Sequence, residues 1–303
     1  MDVSVVIITY NQENYIRETL MSIINQDIDF SMEIIIGDDC SKDHTRDIIN
    51  SIDQKYPGYI KKIFNKKNLG VIKNYFNAVR MAQGRYIMVC GGDDYWLPGK
   101  MKTQYDFMES HQDIGMCYGK VKVFDDHLSK MRKHTIGSPR EKREELIFSN
   151  GVPACTSCFK RCLIEEYIND INPEAKDWLM EDYPFWIWLS NHTKLAFIDQ
   201  ELAVYRYIKN SLSHQASLDK LERFEDSIYE IQSFYSYQEE KEKLRRQHMS
   251  RLFNLYNRYG NRKKYRLLAI KESDLCNKII GYIPLLFKIR QLLLIFMIRC
   301  NER

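Results

Sequence analysis

A continuous apolar run from Val3 to Thr9, broken only by Ser4, does most to limit what this chain can fold into. A strand that is apolar along its length is buried on both faces, as in parallel sheets covered by helices on either side. Comparable runs follow at Glu33–Ile36, Tyr59–Phe64 and Tyr86–Cys90. Between them the apolar residues take helical spacing. Ile16, Leu20, Ile23 and Ile24 share one face within Glu13–Gln26, and Ile48, Ile49 and Ile52 follow Ser41 in a second helix. Further helices are predicted over Val71–Gln83, closed by Gly84, and from Pro98 to His111. This alternation predicts an α/β fold with a doubly wound, mostly parallel sheet and right-handed crossovers. Past Gly115–Phe124 the alternation stops, and the charged stretch Asp125–Glu145 is expected to be the most mobile loop.

Charge divides the chain. Residues 241–303 carry 16 Lys+Arg against 4 Asp+Glu, a balance of +12, which leaves 29 against 37, or −8, for the remainder. Gly and Pro nearly vanish after Ser217 while Lys, Glu, Tyr and Leu recur at helical spacing. We therefore divide the 303 residues into 1–215 and a basic helical extension, 216–303. The apolar stretch Ile279–Ile298 is interrupted by Lys288, Arg290 and Gln291. It falls short of the ~18–20 uninterrupted apolar residues that a membrane span needs. It is expected to lie on an anionic membrane surface as an interfacial helix, or else to dock on the protein itself. Eight cysteines in a chain of this length are not a disulfide framework. Cys155, Cys158 and Cys162 lack the second ligand pair of a zinc site. No basic, apolar leader precedes Val3, so a cytoplasmic location is expected.

Three loops follow successive strands: Thr9-Tyr10-Asn11, Gly37-Asp38-Asp39-Cys40-Ser41, and Gly91-Gly92-Asp93-Asp94. In one parallel sheet such loops emerge at the same edge, where open α/β sheets bind ligands. Tyr10 offers a ring to a nucleobase and Asp39 an acceptor for a base N–H, although Asp38–Ser41 would serve equally as a helix cap. Asp93 and Asp94 are adjacent like charges, which repel unless a cation joins them. Mg²⁺ or Mn²⁺ bridging to a diphosphate would relieve them; a solvated acidic turn is the plainer alternative. Neither G-x-G-x-x-G nor G-x-x-x-x-G-K-[ST] occurs, which disfavours dinucleotide-dependent dehydrogenases and P-loop phosphotransferases.

Taken in order, Val3–Asn11, Ile36–Asp43, Asn68–Gly70, Ala82–Ile87 and Gly91–Trp96 resemble the family 2 inverting glycosyltransferases, of the type that assembles bacterial surface polysaccharides. The resemblance spans residues 1–214. It implies the A-type nucleotide-diphospho-sugar transferase fold, with a nucleotide-sugar half over about 1–115 and an acceptor half over about 116–215. It places Thr9, Tyr10, Asn11, Asp39 and Asn68 near the nucleotide, and Asp93 near the ribose or metal. Asp94 would ligate the metal. Trp178–Trp188 resembles the family's Glu-Asp segment, with Asp182 at the catalytic base position and Glu181 beside it. Without that context, a Glu-Asp pair would be read as ordinary charge at a helix N-terminus. Tyr205–Ser213 resembles the closing segment, which adds Arg206. Its usual His is Ile208 here, with Lys209 and His214 as possible substitutes. Many relatives have Arg where this chain has Tyr75, so Lys73 is carried only as a phosphate contact.

The resemblance therefore implies a nucleotide-diphospho-sugar donor, UDP-linked by preference, a glycan or lipid-linked acceptor, and a divalent metal. Nucleic acid is not an expected partner, and a homo-oligomer is possible. The rival is a non-catalytic sugar-nucleotide-binding or scaffold subunit. A processive synthase would need several membrane spans and a Gln-x-x-Arg-Trp segment.

Overall fold

The computed structural model describes residues 1–208, 217–261, 263 and 264. Residues 1–245 form one compact unit, and the described residues from 246 onward belong to a second. The first unit opens with strand–helix alternation: β1 (Val3–Thr9), α1 (Ile16–Ile24), β2 (Met32–Asp38), α2 (Thr45–Lys55), β3 (Ile60–Phe64), α3 (Val71–Val79) and β4 (Tyr86–Gly91). β1 runs parallel to β2 and β4, and β2 runs parallel to β3. The register pairs Thr9 with Asp38 and Ile8 with Gly91, so the three loops leave the sheet at one edge.

The chain continues through β5 (Tyr95–Trp96), α4 (Lys100–Ser110), β6 (Ile114–Asp125), β7 (Lys130–Ile136) and α5 (Arg143–Leu146). After a 3₁₀ turn at Ala154–Thr156 come β8 (Cys158–Lys160), α6 (Arg161–Ile171), α7 (Tyr183–His192), β9 (Lys194–Tyr207), α8 (Leu218–Tyr235) and α9 (Lys241–Arg258). One sheet runs β3-β2-β1-β4-β8-β6-β9-β5, with β7 paired to β6. The short strand β8 is antiparallel to both β4 and β6, while β6 and β9 are parallel. The doubly wound parallel region thus ends at β4, and the part of the sheet beyond it mixes strand directions.

The apolar runs account for this architecture. Val5, Ile7, Ile34, Ile36 and Met88 pack with Ile16, Leu20 and Ile49 on one face. The alternate residues Val6, Ile35, Ile87 and Val89 pack with Phe76 and Trp186 on the other. Each fully buried Val or Ile contributes about 1.5–3 kcal/mol.

Three expectations fail. Gly84 does not cap α3, which ends at Val79. Instead Gly84 lies against β1, where an added Cβ would fall 2.4 Å from the Ser4 nitrogen and where its N–H donates to Ser4 Oγ at 2.7 Å. Pro98 does not open α4, because Gly99, in a left-handed conformation, separates it from the first helical residue, Lys100. The stretch Asp125–Glu145 is an ordered hairpin and helix rather than a loop. Arg132 pairs with Asp125 at 2.7 Å, and buried Arg143 pairs with Glu240 at 2.7 Å. Two of its arginines are paired, one of them with a residue almost a hundred positions away.

Candidate active site

The first two loops are tied together by side chains accepting backbone N–H groups. Ser41 Oγ accepts from Asn11 N at 2.9 Å, and Asn11 Oδ1 accepts from Lys42 N at 2.8 Å. Thr45 Oγ1 accepts from Gln12 N at 2.8 Å. Asn11 and Cys40 both take left-handed backbone angles, φ 53° and 67°. For a cysteine that conformation is uncommon and is held by its surroundings. Tyr10 is 46% exposed at the rim, as a ring awaiting a partner would be.

Asp38 and Asp39 divide the work that the sequence left open between cap and ligand. Asp38 accepts from Ser41 N at 3.1 Å and pairs with Arg46, a structural role. Asp39 accepts from Leu69 N at 2.7 Å, Gly70 N at 2.9 Å and Asn65 Nδ2 at 3.2 Å. A carboxylate has about four acceptor positions, so these three bonds leave one open. Asn68 donates to the Asp39 carbonyl at 3.3 Å and so joins the same cluster. Lys73 lies exposed on α3, apart from these contacts.

The third loop is the most enclosed. Asp94 is 7% exposed; its Oδ1 accepts from Arg206 N at 2.9 Å, and the Cys155 thiol lies against it. Burial, and then the Asp93 charge, push the Asp94 carboxyl well above the usual carboxylate range. Burial also raises Asp93, opposed by Arg206 and Gln12. Arg206, 6% exposed, donates to the Asp93 carbonyl at 2.6 Å and pairs with Glu18. Its guanidinium stacks over Tyr95 and Tyr15, 4.8 and 5.1 Å from the ring centroids. β9 thus delivers a cation to carboxylates 112 residues earlier in the chain. Thr9 Oγ1 and Gln12 Oε1 are enclosed here without a hydrogen-bond partner.

A second carboxyl pair opens α7. Asp182 is its N-cap, and Asp182 Oδ1 accepts from Tyr183 N at 2.7 Å. Tyr183 anchors the turn: its hydroxyl donates to the Leu146 carbonyl at 2.7 Å and accepts from Gln232 Nε2 at 3.2 Å. Leu179 N donates to Ser227 Oγ at 2.9 Å, so α8 also holds the segment. Burial, and then the Asp182 charge, push Glu181 up to about 8. Burial raises Asp182 too, but the Tyr183 N–H opposes it, and the helix dipole favours an anion at this end. Their surroundings thus differ: Glu181 is held to its proton, while the Tyr183 N–H favours an anionic Asp182.

Among the described residues no group of three or more His, Cys, Asp or Glu is placed to hold a metal ion, and this covers the cysteines of β8 and its preceding turn. In the third loop, the described residues offer a hard cation the two carboxyl groups of Asp93 and Asp94. Sequence reasoning missed Gln12, Glu18, Arg46, Asn65 and Cys155. Gln12 adjoins a motif residue; the others had no local signal. Lys209, His214 and the Ile279–Ile298 helix lie outside the described residues. No described helix is long and apolar enough to cross a membrane.

Residues 4–167 match glycosyl transferase family 2, and the chain belongs to that family. A protein of Mycobacterium tuberculosis is 29% identical over 222 residues, 72% of this chain and 62% of its own length, so the chain spans under two thirds of that relative. A Bacillus subtilis glycosyltransferase named for teichuronic acid biosynthesis is 28% identical over 218 residues, 70% of this chain and 81% of its own. Among solved structures, residues 1–349 of S. aureus TarS in complex with UDP-GlcNAc superpose with a TM-score of 0.56 at 21% identity, covering 84% of this chain and 72% of that one. The mannosyltransferase PcManGT from Pyrobaculum calidifontis, with GDP-Man and Mn²⁺, gives 0.58 at 14% identity, covering 98% and 84%. These two likenesses bear out the expected A-type fold.

Proposed function

We propose that this family 2 chain transfers a sugar from a nucleotide-diphospho-sugar, UDP-linked by preference, to a hydroxyl of a glycan or lipid-linked glycan, with inversion, in cell-surface polysaccharide biosynthesis. The observation that carries the reading is the pair Glu181–Asp182 at the start of α7, where burial and the Asp182 charge push Glu181 up to about 8 while the Tyr183 N–H bonds Asp182 and favours its anion. An inverting transfer needs one carboxylate to accept the acceptor's hydroxyl proton as its oxygen attacks the anomeric carbon. Asp182 is suited to that task, and Glu181, still protonated, to a neutral contact with the donor sugar. Thr9, Tyr10, Asn11, Asp39 and Asn68 would hold the nucleotide, with Tyr10 stacking on the base. Arg206 would balance charge near the diphosphate, and Lys73 is at most an outer phosphate contact.

Asp93 and Asp94 fit a Mg²⁺ or Mn²⁺: they are adjacent oxygen donors, both raised by burial and Asp94 also by the Asp93 charge. Bound there with the diphosphate, the ion would neutralise the leaving nucleotide. The named relatives support the donor class, since TarS was solved with UDP-GlcNAc and PcManGT with GDP-Man and Mn²⁺. The basic segment 276–303 would bring the enzyme to the cytoplasmic face of the membrane, where lipid-linked acceptors are met. A donor screen on purified protein, reading nucleotide release with and without Mn²⁺, tests the proposal. Absence of release from every UDP- and GDP-sugar, with acceptor extracts present, would refute it.

A further inference from the structure

A second group of cations meets a cavity at the other end of β4 from the third loop. The cavity measures about 300 Å³, and Gln83, Arg85, Tyr86, Lys160 and Arg161 line it, with no carboxylate in its wall. One side comes from Ala82–Ile87, a segment that the catalytic reading leaves unused. Another comes from Lys160 and Arg161, where β8 passes into α6. The register brings these sides together. Tyr86 pairs with Lys160, and the Arg161 N–H donates to the Arg85 carbonyl at 3.0 Å. Like charges gathered across neighbouring strands are destabilising. Their partners within the chain offset them only in part. Arg85 pairs with Glu109 at 2.6 Å and Arg161 pairs with Glu165, but those carboxylates are 33% and 53% exposed and stand outside the wall. Ion pairs open to solvent contribute little. The Lys160 ammonium donates to the Gln112 carbonyl at 2.5 Å and pairs with no carboxylate of the described residues. Gln83 Oε1 accepts from Lys61 at 3.2 Å, which leaves the Gln83 amide hydrogens for another acceptor.

We propose that this cavity binds the phosphate group of a small ligand. Two guanidinium forks, an ammonium and an amide offer more donors and more charge than one carboxylate can use. A phosphate group brings three acceptor oxygens and close to two negative charges, which suits that set. The volume is at the low end for ligand sites, so the ligand is a small phosphorylated molecule or a phosphate head group. The cavity is distinct from the donor site. β4 runs from Tyr86, in the cavity wall, to Gly91, at the start of the third loop, a separation of roughly 17 Å for an extended strand. The inference therefore stands or falls independently of the donor reading.

The test measures binding of orthophosphate and pyrophosphate to the full chain by calorimetry at fixed ionic strength, in wild type, Lys160→Gln and Lys160→Glu. Lys160→Gln is expected to raise the Kd of the tighter ligand about tenfold, the loss of one charge-assisted hydrogen bond. Lys160→Glu should abolish binding, and UDP affinity should be unchanged in both variants. Lys160→Gln relieves the crowding of cations, so it should melt no lower than wild type. Flotation with phosphatidylcholine vesicles, with and without phosphatidic acid, separates the two sources of phosphate. Recovery that needs phosphatidic acid and is lost in Lys160→Glu identifies a lipid head group; recovery that Lys160→Glu leaves unchanged, beside a calorimetric loss, identifies a free ligand. The inference is overturned if wild type binds neither phosphate nor pyrophosphate, or if both variants bind them as wild type does. A parallel loss of UDP affinity overturns it too, since the anion would then be held at the donor site. So does a melting temperature several degrees lower in Lys160→Gln, which would make Lys160 structural.

Discussion

Replacing Glu181 with glutamine should change how stability depends on pH, and the structure sets the sign. Glu181 is pushed from its ordinary 4.5 up to about 8 in the folded chain. Between those values the folded state holds the proton and the unfolded state does not. Unfolding free energy therefore falls as pH rises through this window. The stabilisation is complete below about pH 4.5 and is lost by about pH 8. At about 1.4 kcal/mol per pKa unit the ceiling is about 5 kcal/mol. The residue is half-buried, and solvent screening brings the expected effect nearer ~2 kcal/mol. The substituted amide never ionises, and the Asp182 contribution is common to both proteins. Glu181→Gln should therefore match wild type near pH 4.5 and melt about 4–8 °C higher at pH 8, using roughly 2–4 °C per kcal/mol for a unit of this size. Thermal melts of both proteins from about pH 4.5 to 9 supply the comparison. A difference that stays constant across that range, or one that shrinks with rising pH, would refute the assignment of a raised, proton-holding Glu181.

Asp182→Asn should keep donor binding and lose at least ~10²-fold in kcat, the loss of a general base; a near-normal Asp182→Asn beside a dead Glu181→Gln would put the base one residue earlier. Asp94→Asn should abolish the Mn²⁺-dependent part of donor affinity in calorimetry, and unchanged turnover in metal-free buffer would remove Asp94 from any metal role. Arg206→Met removes a charge-assisted hydrogen bond and two ring contacts, so a loss of about 2–4 kcal/mol is expected in chemical denaturation. Glu18→Gln, by contrast, should cost no more than ~1 kcal/mol, because Glu18 is 56% exposed.

The parallel half of the fold was legible because burial on both faces of a strand leaves a local mark: Val3–Thr9 was found at its observed limits. Helix ends were less legible. Pro98 and Gly84 carry strong local signals for helix ends, yet one was overridden by the turn at Gly99 and the other by the close approach of β1. The Asp125–Glu145 stretch was misread for a different reason. Charge density suggests solvent, but Arg143 is 5% exposed and pairs with Glu240, a pairing that no window of sequence contains.

The same limit explains which part of the candidate site could be read. Thr9, Asp39 and Asp94 sit at or just past strand ends, where position in the alternation already implies a shared edge. What makes that edge chemically workable arrives from elsewhere. The Arg206 guanidinium meets the Asp93 carbonyl from β9, its own backbone N–H meets the Asp94 carboxylate, and Cys155 comes from the turn before β8. Two crowded carboxyls with no counter-charge would be a costly way to end a buried strand. One guanidinium, half spent on Glu18, compensates them only in part. The remaining imbalance favours binding a cation and a diphosphate together rather than either alone. It follows that Mn²⁺ and UDP should bind cooperatively: each should tighten the other's Kd by the same factor, and independent binding would mean that Arg206 already suffices.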